Sequence, residues 1–462
     1  MERQNAWEFY DDAQLEALEG VAKRYRGFLN AGKTERECVR EAVKLAEAQG
    51  FADMRSVDAA KAGDKLYLNW MGKALMLFIV GKAPISQGMN IVGAHIDSPR
   101  MDVKQNPLYE ENGIAYLDTH YYGGIKKYQW VTIPLALHGV VAKTDGTVVD
   151  IVIGEDEDDP VVGVSDLLIH LAQEQMDKKA RVAIEGDQLN VIVGGRPFAP
   201  EDEDDDAPEK QAVKQNVMRI LEQKYGIEEE DFLSAEIEVV PAGKARDFGL
   251  DRSMIIGYGH DDRVCAYAQL EALFGIDFVP GRTVACLLSD EEEIGSVGAT
   301  GMQARYFENT VAELMALTGD YSELKLRRAL AACRMLSCDV SAGFDPNFAS
   351  VFEKKNAAFL GRGVCFNKFT GRGGKSGSND ANAEFIARLR RIMDDNDVNF
   401  QTAELGKVDV GGGGTIAYIC ALYGMEVVDS GVAVLSMHAP WEIISKADLY
   451  EAVRAYSAFM AN

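Results

Sequence analysis

Four short apolar runs in this chain each end on a side chain able to bind a divalent cation. Residues 89–94 lead into His95, with Asp97 two positions on, and residues 283–289 lead into Asp290-Glu291-Glu292-Glu293. Residues 335–338 precede Asp339, and residues 432–437 precede His438. Carboxylate oxygens mixed with imidazole nitrogens suit zinc and its neighbours in the first transition row. In His95-Ile96-Asp97, strand alternation puts both side chains on one face, where the carboxylate can hold the tautomer of the imidazole. The acid run followed by Ile294-Gly295-Ser296 reads as a strand-end pair, one carboxylate for metal and its neighbour for a proton from water. Gly259-His260-Asp261-Asp262-Arg263 opens a helix-like stretch and offers an aspartate able to bridge two ions. The chemistry implied is metal-assisted hydrolysis.

These ligands need elements that bring them together. Bounded apolar runs of this length suit strands buried on both faces. Open α/β sheets bind ligands beyond the carboxyl ends of their strands, so all four runs are expected to end at one sheet edge. The spacing predicts helices over 12–29 and 34–48, the second opened by Thr34 and Glu37 at capping-box spacing. Strands are predicted at 65–70, 75–80 and 89–94. After residue 103 the segments 114–122, 128–142, 147–153, 181–185 and 189–193 are short, rich in Val, Ile and Tyr, and separated by turn residues, an all-β pattern. From about 250 the alternation returns, with a strand at 284–289 and helices at 299–316, 381–395 and 446–460. The expected architecture is α/β, with residues 1–103 and 246–462 forming one domain around a smaller β-rich insert, 104–245. If they share a metal, the two α/β pieces must pack as one unit.

Glycine-rich segments add less. Gly371-Arg372-Gly373-Gly374-Lys375-Ser376 resembles a phosphate loop, but Phe369 stands where that motif has its first glycine. Residues 411–414 read equally as a substrate-approach loop or a tight turn.

Composition narrows the partners. The formal net charge of −25 over 462 residues argues against nucleic acid or an anionic membrane, both of which need a basic face. The acidic runs 155–159 and 201–206 read as solvated loops. Seven scattered cysteines with no Cys-x-x-Cys pair point to a reducing compartment. No apolar signal core follows Met1, and no apolar run nears the ~20 residues that span a bilayer, so the expected location is cytoplasmic.

Five segments together carry a resemblance: Gly93-Ala94-His95-Ile96-Asp97-Ser98-Pro99, Asp261-Asp262, Asp290-Glu291-Glu292-Glu293-Ile294-Gly295-Ser296, Ser337-Cys338-Asp339 and Ser436-Met437-His438-Ala439-Pro440. In this order the chain resembles the zinc aminopeptidase family of aspartyl aminopeptidase and vacuolar aminopeptidase I, over nearly its whole length. The resemblance implies a mixed-sheet α/β/α metallopeptidase domain interrupted by a β-rich dimerisation domain, with dimers assembling into a tetrahedral dodecamer. It implies one metal on His95, Asp261 and Asp339, and a second on Asp261, Glu293 and His438, with zinc, cobalt or manganese as candidate ions. The family's Asp-x-Glu-Glu-x-Gly-Ser pattern makes Glu292 the general base and Glu293 the ligand, while Asp97 partners His95. Val164-Ser165-Asp166-Leu167-Leu168-Ile169-His170-Leu171 resembles the insert segment whose histidine reaches a neighbouring subunit's active site, a role that falls to His170. The substrates implied are peptides with a free N-terminus. Ala403-Glu404-Leu405-Gly406-Lys407-Val408-Asp409-Val410 is similar to the bacterial aminopeptidase I subgroup, and lacks the Arg-Asn-Asp segment usual in aspartyl aminopeptidases. Neutral or apolar N-terminal residues are therefore expected over Asp or Glu. The alternatives are an aspartyl aminopeptidase specific for N-terminal Asp or Glu, and a related two-metal deacylase.

Overall fold

The computed structural model describes residues 4–198 and 211–462, so the acidic run 201–206 lies outside the described residues. The chain forms two compact units: Met1–Ser98 with Ala245–Met437 and Glu442–Asn462, and Pro99–Lys244 with His438–Trp441.

The first unit is built on a nine-stranded mixed sheet. From edge to edge its strands are Ala52–Asp53, Lys65–Trp70, Ala74–Ile79, Val284–Ser289, Asn90–His95, Arg334–Cys338, Glu426–Gly431, Val364–Asn367 and Phe400–Thr402. The four strands from Val284–Ser289 to Glu426–Gly431 run parallel. Their side chains alternate between two cores. Val92, Ala94, Cys286, Leu288 and Leu336 meet the helices Asp12–Ala31, Glu35–Ala48, His260–Phe274, Ala383–Asp395 and Lys446–Ala461. Ile91, Ala285, Leu287 and Met335 meet Tyr306–Leu317, Glu323–Ala331 and Ala417–Ala421. Burial on both faces is why these strands read as unbroken apolar runs rather than alternating ones. Thr34 caps its helix as expected: its hydroxyl accepts from the Glu37 amide, and the Glu37 carboxylate accepts from the Thr34 amide. A separate five-stranded sheet orders Arg246–Phe248, Met254–Gly257, Glu442–Ser445, Ala433–Leu435 and Ser341–Ala342.

The second unit holds a six-stranded antiparallel sheet, ordered Val148–Ile153, Leu135–Ala142, Ala235–Pro241, Arg100–Glu111, Ile114–Tyr122 and Val191–Gly194. It also carries a helix, Ala212–Tyr225, closed by Gly226 in the left-handed region. The insert is thus β-rich but not all-β.

Several boundaries differ from the sequence expectation for local reasons. The run at 128–142 becomes a strand only from Leu135, because Pro134 removes an amide donor just before it. Residues 181–185 find no strand partner, and Ala180–Ala183 forms one helical turn. The helix expected from 299 begins at Tyr306; Gly295 and Gly298, both at positive φ, hold the chain before it in a loop. The fourth apolar run is divided. The central-sheet strand ends at Gly431, whose Cα lies so close to Asp339 that a Cβ would sit 1.9 Å from that residue's carbonyl oxygen. Ala433–Leu435 then enters the five-stranded sheet. Only three of the four runs therefore end on one sheet edge.

Candidate metal centre

His95 closes the strand Asn90–His95, which has a parallel neighbour on each side. Ser289 pairs with His95 and Ser337 with Gly93, so the acids just beyond both neighbours emerge beside the imidazole. Gly93 permits the close packing beneath, where a Cβ would lie 2.6 Å from Met335 Cε and 3.3 Å from Leu287 Cβ. Asp261 comes from the start of His260–Phe274, where Asp261 and Asp262 depart from helical geometry and are joined by a cis peptide bond. Two buried groups fix that turn: Ser98 Oγ donates to the Asp261 carbonyl at 2.8 Å, and the Asp261 amide donates to Glu442 Oε2 at 3.0 Å. Neither Ser98 nor Glu442 was singled out from sequence. Ser98 sits inside the first motif and Glu442 follows His438 by four residues, which is the signal available.

The imidazole of His95 is fully enclosed. Its Nδ1 lies 3.1 Å from the Asp97 carbonyl and 3.3 Å from Asp97 Oδ1. A carbonyl only accepts, so Nδ1 carries a proton, and Nε2 is the nitrogen whose lone pair a metal ion would take. Nε2 faces Asp261 Oδ1 at 3.2 Å. Asp97 has a second task that its spacing from His95 does not reveal. Its Oδ1 accepts from the Glu292 amide and its Oδ2 from the Glu293 amide, each at 3.1 Å.

Two overlapping groups of donors result, each with its atoms within 4.8 Å of one another: His95, Asp261 and Glu293, and His95, Glu292 and Asp339. The electrostatics suit a divalent cation. Burial opposes charge on His95, but the hydrogen bonds to Asp261 and Asp97 outweigh it and hold the imidazolium well above the usual histidine range. Burial, then the charges of Asp261 and Glu292, pushes the Asp339 carboxyl well up. One imidazole among this many carboxylates cannot balance their charge, whereas divalent ions would. The mixed nitrogen and oxygen donor set fits such ions.

His438 falls in the second unit, half-buried, with Nδ1 2.9 Å from the Gly124 carbonyl oxygen, and it belongs to neither donor group. The sequence placed it at the end of a central strand, which the division at Gly431 rules out. His170, also in the second unit, is exposed on the turn Ile169–Leu171. It lines an open groove of about 970 Å³ with Tyr109, Tyr116, Asp166 and Asn190. Of the remaining histidines, His138 pairs with Glu155 at 3.1 Å and His260 contacts the Tyr25 hydroxyl at 2.6 Å. Neither pair contributes to the donor groups.

Residues 28–460 match the family model described as aminopeptidase I zinc metalloprotease (M18). A probable M18 family aminopeptidase 1 of Clostridium acetobutylicum is 58% identical over 465 residues, spanning 100% of this chain and 98% of that protein. The crystal structure of an M18 family aminopeptidase from Thermotoga maritima superposes with a TM-score of 0.94 at 44% identity, covering 100% of this chain and 99% of that one. The S. cerevisiae mApe1 dodecamer shares the fold at a TM-score of 0.75 and 20% identity, with 96% of each chain covered.

Proposed function

The chain belongs to the aminopeptidase I zinc metalloprotease family, M18, and on that premise we propose that it removes N-terminal residues from peptides using two divalent ions and Glu292 as general base. The observation that carries this reading is the gathering of His95, Asp261, Glu292, Glu293 and Asp339 in two overlapping donor groups. Their division between two ions and a base follows the family pattern rather than that grouping. His95, Asp261 and Asp339 would hold one ion. Asp261 and Glu293 would hold the other, with His438 assigned to it by the family motif alone. When bound, such ions would lower the pKa of an attacking water toward roughly 7 and polarise the scissile carbonyl.

The rest falls to the chain. Glu292 takes the proton of the attacking water and returns it to the leaving amine. Asp97 fixes the His95 tautomer and, through two backbone amides, the place of Glu292 and Glu293. The carboxylates at the sheet edge attract a free α-ammonium group, which selects exopeptidase over endopeptidase cleavage. Preference for neutral or apolar N-terminal residues is supported by the departure of residues 407–409 from the aspartyl pattern. Lys407 does line a cleft, but beside Phe369, Leu405 and Val408.

His170 is assigned to the active site of a neighbouring subunit in a tetrahedral dodecamer assembled from dimers. Its support is the surface around it: Leu167, Leu168, Ile169 and Leu171 are 45–69% exposed, a patch of the kind that assembly covers. Seven free cysteines, all buried, are consistent with a reducing cytoplasm. No helix among the described residues is long and apolar enough to cross a membrane.

The test is hydrolysis of a free-amine peptide and its N-acetylated form, before and after chelation, in wild type and Glu292→Gln. The expected result is cleavage of the free amine alone, abolished by chelation. The variant should retain metal while losing about 10²–10⁴-fold in kcat. Near-normal turnover by the metal-loaded variant would overturn the assignment of Glu292. A panel of aminoacyl-p-nitroanilides decides specificity, and a marked preference for Asp or Glu would reverse it.

A further inference from the structure

Between the strand Val284–Ser289 and the two glutamates Glu292 and Glu293 stands a third, Glu291, to which neither the family pattern nor the mechanism above gives work. Its backbone is in the left-handed region, φ +62° and ψ +18°, an unusual place for a residue with a long side chain. From there its carbonyl accepts from the Ser296 amide at 2.6 Å, closing the turn that carries both functional glutamates. The side chain does not extend into solvent. It folds back onto Gly298 and Gly301, where Oε2 is enclosed without a hydrogen-bond partner among the described residues and the seat is one of shape.

Two glycines shape the receiving cradle. A Cβ on Gly298 would lie 2.0 Å from Glu291 Oε2 and 2.5 Å from Oε1, and one on Gly301 would lie 3.0 Å from Oε2. Gly298 has φ +134°, so side-chain-bearing residues are doubly unsuited there. Burial opposes the charge of this carboxylate, while the Lys73 ammonium and the Gly301 amide favour it. The loop is itself anchored. Trp70 Nε1 donates to the Ala299 carbonyl at 2.9 Å, and Thr300 Oγ1 donates to Asp290 Oδ2 at 2.7 Å. The Asp290 Oδ1 atom in turn accepts from the Glu291 amide at 2.8 Å.

We propose that Glu291 is a positioning residue for the hydrolytic reaction, its carboxylate seated in the Gly298–Gly301 cradle to clamp the turn that aims Glu292 and Glu293. Asp97 holds the same two residues by their amides from one side, and Glu291 holds the turn from the other. The inference rests on the assignment of Glu292 and Glu293 given above. Its test therefore includes the metal-free protein, whose behaviour does not depend on that assignment.

The variants are Glu291→Ala, Glu291→Gly and Glu291→Gln. Glycine removes the carboxylate while easing the left-handed backbone, which separates the clamp from conformational cost. Glutamine keeps the shape and one acceptor. Amide hydrogen exchange in the metal-free protein is expected to accelerate at least tenfold at 292–296 in the Ala and Gly variants, with the melting temperature within a few degrees of wild type. In the zinc-loaded protein kcat should fall about tenfold or more at near-constant KM, and Gln should restore most of it. Exchange at 292–296 unchanged in the Ala and Gly variants would overturn the proposal. So would a kcat within twofold of wild type, or a kcat loss tracking a global drop in melting temperature. Accelerated exchange combined with an unimpaired Glu292→Gln enzyme would instead overturn the assignment of Glu292.

Discussion

Replacing Asp97 by Asn tests how far a residue outside the donor groups controls them. Three contacts converge on its carboxylate: the Glu292 amide at 3.1 Å, the Glu293 amide at 3.1 Å and His95 Nδ1 at 3.3 Å. Asparagine keeps one acceptor oxygen but turns the other into an NH₂ that faces a backbone N–H. The tautomer of His95 should survive, because Nδ1 also contacts the Asp97 backbone carbonyl at 3.1 Å, which the substitution leaves in place. The effect must then travel through Glu292 and Glu293. Losing one hydrogen bond to a charged acceptor costs about 1.5–3 kcal/mol. At ~1.36 kcal/mol per tenfold, that is roughly 10–150-fold in kcat/KM if the loss falls on the aim of the base. It agrees with the ~10–100-fold usual when a partner of a metal-bound histidine is removed. The assay is kcat/KM on a leucyl p-nitroanilide at saturating zinc, beside zinc affinity by chelator competition. Values within twofold of wild type for both, in a folded variant, would refute the view that this carboxylate organises the site.

Other perturbations give separate checks. Gly431→Ala drives a Cβ to 1.9 Å from the Asp339 carbonyl, so backbone must move, and a loss of at least about 1–3 kcal/mol in chemical denaturation is expected together with weaker zinc binding. Asp429 is buried and burial raises its carboxyl to about 7, although the Thr415 hydroxyl donates to it at 2.6 Å. A carboxyl raised on folding stabilises below its unfolded pKa of ~4 and loses that contribution as pH climbs through about 7. Asp429→Asn should accordingly flatten the fall in stability of the metal-free protein between pH 5 and 8, and an unchanged slope would contradict this. Zinc at a hundredfold excess over its Kd should stabilise the chelated protein by about 2.7 kcal/mol per site, seen as a rise in melting temperature; no rise would argue against a preformed site.

The central strands are legible in the sequence because burial on both faces leaves an unbroken apolar signature ending on a polar residue. That signature suffices to gather His95, Glu292, Glu293 and Asp339 at one edge. It does not suffice for His438, because an apolar run looks the same whether it is one strand or two strands of different sheets. The division falls at Gly431, where the backbone passes too close to the Asp339 carbonyl for a side chain. Asp97 is legible as a partner of His95, two residues away, but not as an acceptor for amides from residues 292 and 293. Such contacts are set by tertiary approach, which periodicity does not encode. The helix Ala212–Tyr225 carries Val213 and Val217 one turn apart on its buried side, a helical spacing obscured by the strand-rich texture before it.

The place of Asn90–His95 in the sheet has a consequence for how the enzyme is made. This strand lies between Val284–Ser289 and Arg334–Cys338, both of which leave the ribosome long after it. At ~5–20 residues per second, Asp339 follows His95 by roughly ten to fifty seconds of synthesis. Until residues 284–293 emerge His95 has no sheet neighbour, and until Asp339 emerges its second neighbour and that carboxylate are still to come. On the ligand set proposed above, strand order alone would keep the unfinished polypeptide from completing its metal site.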